Sequence, residues 1–399
     1  MATQKKNTSN KTTKKVVKKT TKKVVKAAKK DPKILIIILV VALLVVGLGV
    51  GGFFIYQAMN KGDNSSSHSH ESETSSHIHQ LSDSEISINF LELGNKYTGD
   101  STFIKAGDVD ILIDAGSRNG SSKTIGDFVD TYCTDGKLEY VIATHAHQDH
   151  IAGFVGTNDA PGIFERYEVG TIVDFSLTNS TAKVYSDYIA KRDAEVAAGA
   201  KHYTALDCWN NANGAQRKYQ ITDGIELEIL YQKYYEETTT DENDYSVCVM
   251  INHGDNHYLF TGDLEKNGEK SLVASNTLPK VQLFKGAHHG SYTANTDELL
   301  SVIQPEVVCI CCCAGSDEYT KTEENMFPAQ AAINRLGKYT EQIFVTTVVS
   351  DSEPGYQSMN GNICFHCTNG KDYTVTGSNN NTILKETEWF KSHRTWPTA

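Results

Sequence analysis

The sequence predicts an α/β sandwich, two packed β-sheets with helices on their outer faces, preceded by one transmembrane helix. Three observations lead to this prediction. A lysine-rich arm is followed by a long uncharged apolar run, Ile34 to Tyr56. Beyond about residue 84, strand-like runs joined by turn dipeptides such as Gly107-Asp108 alternate with helical segments. Hairpins mixed with strand–helix alternation are typical of two sheets covered by helices.

The N-terminal arm, residues 1–33, contains thirteen lysines and one acid, Asp31, which gives it a net charge of +12. The whole chain carries −11, so the remainder carries −23. Blocks of like charge are usually disordered, and a lysine block beside a membrane helix attracts anionic lipid headgroups. We therefore expect a disordered cytoplasmic tail that contacts the membrane. Binding of nucleic acid by the tail is the alternative.

The apolar run, residues 34–56, carries no charged side chain. About 20 apolar residues are enough to span a bilayer as a helix. A cleaved signal peptide is the competing interpretation, but the run exceeds the usual apolar region of such peptides and no A-x-A cleavage site follows. Because lysines stay on the cytoplasmic side, we expect a single-pass protein of the cell membrane with its body outside.

A linker and one large body follow the apolar run. Residues 57–83 are rich in Ser and His and have few apolar side chains, so a flexible linker is predicted. Residues 84–399 are expected to form a single hydrolase domain. The chain has nine cysteines, an odd number, and four of them lie in the apolar run VVCICCC. We therefore expect buried core cysteines, not a disulfide framework.

The body contains recognisable strand and helix signals along most of its length. Strands are predicted at ISINFLEL, DVDILIDAG, EYVIATH, VGTIVDF, IELEIL, YSVCVMIN, HYLFTGD, VQLFKG and EVVCICCC. Helices are predicted at Thr124–Cys133, Thr181–Val196, Pro328–Gly337 and Leu384–Ser392.

The strongest chemical signal is THAHQDH, residues 144–150, in the loop after the apolar strand EYVIAT. His145 and His147 are two residues apart in an extended turn, so both imidazoles can reach one cation. Asp149 and His150 follow at once and can reach a neighbouring cation. Imidazole and carboxylate groups are ligands that suit zinc. Three histidines and an aspartate within six positions at a strand end therefore predict a metal site.

The motif H-x-H-x-D-H resembles the signature of the metallo-β-lactamase superfamily, whose fold is an αββα sandwich. YLFTGDLE at 258–265 and LFKGAHHGS at 283–291 are similar to later elements of that superfamily. The HHGS element, and the stretch NDYS at 243–246, resemble the extracytoplasmic domain of ComEC-type DNA-internalisation proteins. LIDAG at 112–116 is similar to the early element whose aspartate, Asp114, supports the metal loop. The resemblance extends from about residue 86 to 375.

The resemblance implies a site with two zinc-type cations, with manganese as a possible substitute. His145 and His147 would bind the first cation, and Asp263 would bridge the two. The second cation would be held by Asp149, His150 and His289. Asp149 and Asp263 would also hold the attacking hydroxide, and His288 is a candidate proton donor to the leaving oxygen. Ser291, Thr293 and Lys285 are candidate phosphate contacts.

Two departures from the family pattern affect the expected site. Many members have a separate histidine that completes the first metal shell. The candidates here are His202, His253 and His257, and the last two are expected at the far end of the strand that leads to Asp263. ComEC-like domains tend to have His-Pro before a late helix, whereas this chain has Phe327-Pro328.

The resemblance therefore implies an extracellular metal-dependent hydrolase that most resembles a phosphodiesterase or nuclease. The net charge of −23 beyond the arm would repel a polyanion, so a small phosphoester of the cell wall or of a lipid headgroup is an alternative substrate. A surface metal-binding module without turnover is the non-enzymatic alternative. The chain lacks a multi-span channel, so it is not expected to import DNA itself.

Overall fold

The computed structural model describes residues 81–398 of the 399-residue chain. The predicted tail (1–33), the predicted membrane helix (34–56) and most of the predicted linker (57–83) lie outside the described residues. Within residues 81–398, no helix combines the length and the apolar character needed to cross a membrane.

One eight-stranded sheet contains both the first and the last strands of the body. Its strands are Glu85–Phe90 (β1), Thr102–Ala106 (β2), Val109–Ile113 (β3), Lys137–Ile142 (β4), Glu168–Asp174 (β5), Lys201–Thr204 (β6), Ile363–Thr368 (β15) and Asp372–Gly377 (β16). The spatial order is β16-β15-β1-β2-β3-β4-β5-β6. Strands β3 to β6 run parallel to one another.

A second eight-stranded sheet is formed by the strands in between. Its strands are Lys218–Thr222 (β7), Ile225–Leu230 (β8), Cys248–His253 (β9), Asn256–Phe260 (β10), Leu283–Lys285 (β11), Val307–Ala314 (β12), Gln342–Val349 (β13) and Tyr356–Ser358 (β14). The spatial order is β14-β13-β12-β11-β10-β9-β8-β7, and β10 to β13 are parallel. Every residue of β12 is buried, as expected for a central parallel strand.

Short helices connect the strands. They are Ser121–Val129 (α1), Gln148–Val155 (α2), Ile163–Arg166 (α3), Lys183–Ala198 (α4), Ala205–Asn210 (α5), Lys266–Ser275 (α6), Asp297–Ile303 (α7), Gln330–Leu336 (α8) and Glu388–His393 (α9). Single turns of 3₁₀-helix lie at Lys233–Tyr235, Glu242–Tyr245, Glu323–Asn325 and Leu384–Glu386, and a tight turn with His288 and His289 in left-handed conformations lies at Ala287–Gly290.

The two sheets pack face to face through aromatic side chains. The ring centroids of Phe90 in β1 and Phe260 in β10 are 6.3 Å apart and nearly parallel. The rings of Tyr258 in β10 and Phe365 in β15 meet edge to face at 5.2 Å. All four side chains are at most 1% exposed, so their apolar area contributes to the association of the sheets. The predicted α/β sandwich of two sheets is confirmed.

The cysteines are core residues, as predicted. All nine are free thiols, and eight of them are buried. In β15, buried and half-buried residues alternate, which places Cys364 and Cys367 on opposite faces of the strand. This CxxC pair therefore cannot chelate one cation.

The predicted strands are present, with small differences at their ends. The sequence signals missed several strands, including β2, β6, β7 and β13. The predicted C-terminal helix Leu384–Ser392 is interrupted at Thr387, whose side chain accepts a hydrogen bond from Phe390 N and starts α9 there. The THAHQDH motif was predicted to lie wholly in a loop, but α2 begins at Gln148, because Ile151 and Phe154 pack into the core.

Candidate metal centre

The predicted site residues lie at the carboxyl ends of parallel strands from both sheets. Asp114 follows β3, and the THAHQDH motif follows β4. Asp263 follows β10 in the second sheet, and His289 follows β11. In parallel sheets, binding groups collect outside the carboxyl ends of the strands. The packing of the two sheets therefore brings local motifs more than 100 residues apart into one cluster, as the 3.0 Å contact between His150 and Asp263 shows.

Three of the predicted ligands, His150, Asp263 and His289, converge on one point, and Asp149 contacts one of them. The Nε2 atom of His150 is 3.0 Å from Oδ2 of Asp263. The Nε2 atom of His289 is 3.2 Å from the same oxygen and 3.4 Å from Oδ2 of Asp149. Donor atoms held about 2.0–2.1 Å from a tetrahedral zinc ion lie roughly 3.3 Å apart. The spacing of His150 Nε2, His289 Nε2 and Asp263 Oδ2 therefore fits a single zinc-type cation. The fourth side chain with a ligand atom within 4.8 Å of those of the other three is Asp100.

The orientations of the two imidazole rings also suit metal binding. His289 Nδ1 donates to the carbonyl oxygen of Cys311 at 2.9 Å, so Nε2 is the ring nitrogen that faces Asp263 and Asp149. This buried Nε2 has no hydrogen-bond partner. His150 Nδ1 is 2.8 Å from Oδ2 of Asp114, and its Nε2 faces Asp263. A ligand histidine is typically held through its other ring nitrogen in this way.

Asp114 supports the metal loop as the family resemblance implied. Its Oδ1 accepts a hydrogen bond from Thr144 N at 2.7 Å, and its Oδ2 accepts one from Thr144 Oγ1 at 2.7 Å. The same Oδ2 contacts His150. One buried carboxylate therefore orients both the start of the motif and its last histidine.

The two histidines predicted for a first cation are close together but lack a third ligand. His145 Nε2 is 3.0 Å from His147 Nδ1. Burial and the neighbouring His150 hold the pKa of His145 well below its ordinary value, so this imidazole is neutral. Among residues 81–398, sets of three or more metal-binding side chains with ligand atoms within 4.8 Å of one another include neither His145 nor His147.

The three candidates for the missing histidine are engaged elsewhere. His202 Nε2 is 2.8 Å from Oδ1 of Asp174. His253 contacts the hydroxyl of Tyr258 and the carbonyl of Ser84, and His257 contacts Asn252. His253 and His257 lie at the end of the β9–β10 hairpin remote from Asp263, as predicted from the strand length.

Ser246 and Glu242 support the segment that carries His145 and His147, the two histidines predicted for the first cation. Ser246 Oγ accepts a hydrogen bond from Asp263 N at 3.1 Å and is 3.5 Å from Nδ1 of His145. Glu242, which is 5% exposed, accepts a hydrogen bond from the backbone N–H of Ala146 at 3.2 Å. The same carboxylate binds Thr178 Oγ1 and Asn179 N. Glu242 therefore fixes the turn between His145 and His147.

Asp100 and Lys285 belong to the cluster in roles that the sequence did not predict. Asp100 Oδ1 is 3.3 Å from Nδ1 of His289, behind the ring and away from Nε2. Lys285 forms an ion pair with Asp100, and its Nζ is also 3.1 Å from Gly262 O and 3.4 Å from Asp263 Oδ1. Although burial alone would lower the pKa of Lys285, the two carboxylates raise it, so the ammonium stays charged.

Lys285 is therefore not open to a substrate, because it is 3% exposed and already paired. Its prediction as a phosphate contact is wrong, and its charge instead offsets those of Asp100 and Asp263. Ser291 is likewise 3% exposed and shares a hydrogen bond with Thr293. The sequence signal for Asp100 is the Gly99-Asp100 pair before β2.

His288 lies beside the cluster and not within it. Its Nε2 is 4.0 Å from Oδ2 of Asp263, and its Nδ1 is 3.1 Å from Oε1 of Glu265. Although burial opposes ionisation of Glu265, its hydrogen bonds to His288 and Thr293 lower the pKa of this carboxyl to about 2. The His288 side chain is 19% exposed. His288 is thus an imidazole held by a carboxylate at the edge of the ligand cluster.

Comparison with known proteins agrees with this geometry. Residues 94–162 match the family described as the Metallo-beta-lactamase superfamily. The chain is 29% identical over 125 residues to Recombination protein 2 of Haemophilus influenzae, which covers 31% of this chain and 14% of that protein. It is 25% identical over 203 residues to Competence protein ComA of Neisseria gonorrhoeae, which covers 50% of this chain and 23% of that protein. The chain thus spans less than a quarter of either relative.

Among solved structures, the metallo-beta-lactamase fold protein YhfI from Bacillus subtilis resembles this chain. The match covers 67% of this chain and 98% of that protein, at 10% sequence identity and a TM-score of 0.38. A likeness this distant carries no argument about function.

Proposed function

We propose that this chain, which carries a metallo-β-lactamase superfamily domain, is a membrane-anchored extracytoplasmic phosphodiesterase with a zinc-type dinuclear centre. The observation that carries the proposal of metal-dependent hydrolysis is the convergence of the buried atoms His150 Nε2, His289 Nε2 and Asp263 Oδ2 within 3.0–3.2 Å contacts. The second cation is proposed from the family resemblance of His145 and His147. Two-metal sites of this kind suit the in-line displacement at a phosphodiester.

Each of the two cations would be held by its own set of side chains. His145 and His147 would hold the first, Asp149, His150 and His289 would hold the second, and Asp263 would bridge them. When bound, zinc supplies Lewis acidity and lowers the pKa of a water molecule. The protein contributes the orientation of the ligands, because Asp114 and the Cys311 carbonyl fix the imidazoles.

His288 is proposed to give a proton to the leaving oxygen. Its Nδ1 is held by Glu265 at 3.1 Å, which directs Nε2 towards the cluster. The Nε2 atom lies 4.0 Å from Asp263 Oδ2, so a substrate oxygen bound beside the ligand cluster would be within reach of this imidazole. The exposure of His288 allows solvent to return the proton after each turnover.

Nucleic acid is the proposed substrate class, and a small phosphodiester is the second candidate. The names of the two relatives, a recombination protein and a competence protein, favour DNA. The charge of −23 beyond residue 33 instead favours a small ester, such as one from the cell wall or a lipid headgroup, because an acidic surface repels a polyanion.

The proposed location rests on the N-terminal sequence. The uncharged run 34–56 would cross the membrane, and the +12 arm before it would stay in the cytoplasm. Protease added to intact cells should then cleave the body but leave the lysine-rich arm attached to the membrane. Release of the whole chain by alkaline carbonate would contradict an integral anchor.

The catalytic proposal is tested by measuring bound metal and activity together on the full-length chain. We expect two zinc ions per chain and metal-dependent hydrolysis of bis-p-nitrophenyl phosphate. Single-stranded DNA and glycerophosphodiesters, compared at equal concentration, would decide between the two substrate classes. One metal or none, with no turnover after zinc or manganese is restored, would instead indicate a surface metal-binding module.

A further inference from the structure

A segment between β12 and α8, residues 315–329, passes beside the ligand cluster and is tied to the loops around it. We call it the mouth segment. At one end Gly315 N donates to Phe327 O at 2.9 Å, and at the other Ala329 N donates to Gly290 O at 2.8 Å. The second bond joins the segment directly to the loop that carries His289. The mouth segment is therefore anchored to the metal cluster at its base.

Glu318 ties the middle of the mouth segment to the opposite rim. Its Oε2 accepts a hydrogen bond from Thr98 N at 2.9 Å, and its Oε1 forms an ion pair with Arg118. The Arg118 guanidinium in turn lies 4.0 Å from the centroid of the Tyr97 ring. These contacts hold the backbone next to Glu318 in a defined position.

Tyr319 follows Glu318 and reaches the ligand cluster from the solvent side. Its hydroxyl donates to Oδ2 of Asp149 at 2.6 Å, the oxygen that faces Nε2 of His289. Its ring packs on Phe327 with 5.5 Å between centroids, and Phe327 packs on the His289 ring at 5.6 Å. Tyr319 is 52% exposed, whereas Asp149 and His289 are 7% and 1% exposed.

We infer that Tyr319 is a substrate-binding residue whose hydroxyl donates a hydrogen bond to a phosphoryl oxygen of the bound substrate. The inference rests on the proposed phosphodiesterase function. The hydroxyl has one hydrogen to donate, and without substrate it is given to Asp149. A cation bound to Asp149 draws electron density from that oxygen and weakens it as an acceptor, while an anionic phosphoryl oxygen is a strong one.

Tyr319 is a suitable hydrogen-bond donor beside the ligand cluster, because the nearby cationic side chains are already paired. Lys285 is buried against Asp100, and the Arg118 guanidinium is paired with Glu318. Phe327, which packs on the rings of both Tyr319 and His289, has no polar hydrogen to donate. A neutral hydroxyl also suits a mouth lined by carboxylates, because it can contact a phosphate without adding negative charge.

The test uses the full-length zinc-loaded protein, Tyr319→Phe and the control Tyr292→Phe. Tyr292 is matched because it is 51% exposed, close to the 52% of Tyr319. Inorganic phosphate binding is measured by calorimetry, and kcat and KM are measured with bis-p-nitrophenyl phosphate. Because the bond is made to ground state and transition state alike, Tyr319→Phe should weaken phosphate binding and raise KM, each by about 10-fold, with kcat changed less than about 3-fold.

Zinc content separates a contact with substrate from a role in holding Asp149. The inference requires that Tyr319→Phe keep the wild-type zinc content. Loss of zinc together with a fall in kcat would overturn it in favour of a structural role. Phosphate affinity equal to that of wild type and of Tyr292→Phe would also overturn it. If zinc-loaded wild type neither bound phosphate nor hydrolysed the diester, the proposed function itself would fail.

Discussion

The ammonium of Lys285 and the carboxylate of Asp100 form an ion pair in which each side chain is only 4% exposed. The pair lies directly behind the ligand cluster, since Lys285 also contacts Asp263 and Asp100 contacts His289. Removing two charges from water is costly, and only close partners offset that cost. The positive charge of Lys285 therefore offsets the repulsion between the buried carboxylates of Asp100 and Asp263 before any cation is bound.

The first prediction concerns this ion pair. Lys285→Met should destabilise the metal-free protein by about 3 kcal/mol, because it leaves Asp100 buried without its cation. The double variant Asp100→Asn/Lys285→Met should recover most of that loss, because both charges are gone. Urea unfolding of wild type, the two single variants and the double variant completes a double-mutant cycle. Strictly additive single effects would show that the two charges do not depend on each other.

The second prediction concerns Asp263. Asp263→Asn removes the charge shared by His150 and His289 while keeping the shape of the side chain, so hydrolysis should fall by more than about 100-fold with the fold intact. Circular dichroism and activity are the measurements. Asp255→Asn, at the exposed turn before the same strand β10, is the control and should keep full activity. Full activity in Asp263→Asn would remove this residue from the site.

The third prediction concerns proton release on metal binding. Although burial alone would lower it, the carboxylates of Asp263 and Asp114 raise the pKa of His150 to about 10. The metal-free imidazole is therefore protonated at neutral pH, and a cation must displace that proton. Zinc affinity should rise by about 10-fold per pH unit for each proton released, between pH 6 and 8.

Calorimetry in buffers of different ionisation enthalpy counts these protons directly. We expect at least one proton released per zinc at pH 7. A binding enthalpy that is independent of the buffer would mean that His150 is already neutral without metal. In that case the contacts with Asp114 and Asp263 would be those of a neutral ring.

The fourth prediction concerns Glu269, a fully buried carboxyl outside the metal cluster. Burial raises its pKa to about 7, against hydrogen bonds from Asn295 N, Thr296 N and Thr296 Oγ1. A folded-state pKa above the unfolded value of 4.5 means that proton binding favours the folded state. This contribution, roughly 3 kcal/mol, is present in full below pH 4.5 and is lost as the pH rises to 7.

Glu269→Gln should remove this dependence, because an amide does not titrate in this range. The difference in unfolding free energy between wild type and Glu269→Gln should shift in favour of the variant as the pH rises from 5 to 7.5. Groups common to both proteins cancel in that difference. Parallel stability curves would show that Glu269 is ionised in the folded state across the whole range.

Much of the candidate site could be predicted because its chemistry is local. His145, His147, Asp149 and His150 lie within six positions after an apolar strand, and no distant residue is needed to recognise them. The Gly-Asp end of β10, which carries Asp263, is equally local. The roles of Asp100 and Lys285 could not be predicted, because each depends on a partner that is distant in sequence. A Gly-Asp pair or a single lysine occurs in many unrelated settings.

The sequence alone determined the α/β sandwich, the ligand types and the charge asymmetry, since apolar periodicity, ligand chemistry and net charge are properties of neighbouring residues. The lysine arm and apolar run remain predictions of the same kind. Tertiary structure alone decided that Lys285 lies against Asp100 and that Tyr319 reaches Asp149 across 170 positions. Strand order and sheet packing create these contacts, and the energy of a buried charge or hydroxyl depends on the partner that the fold places beside it.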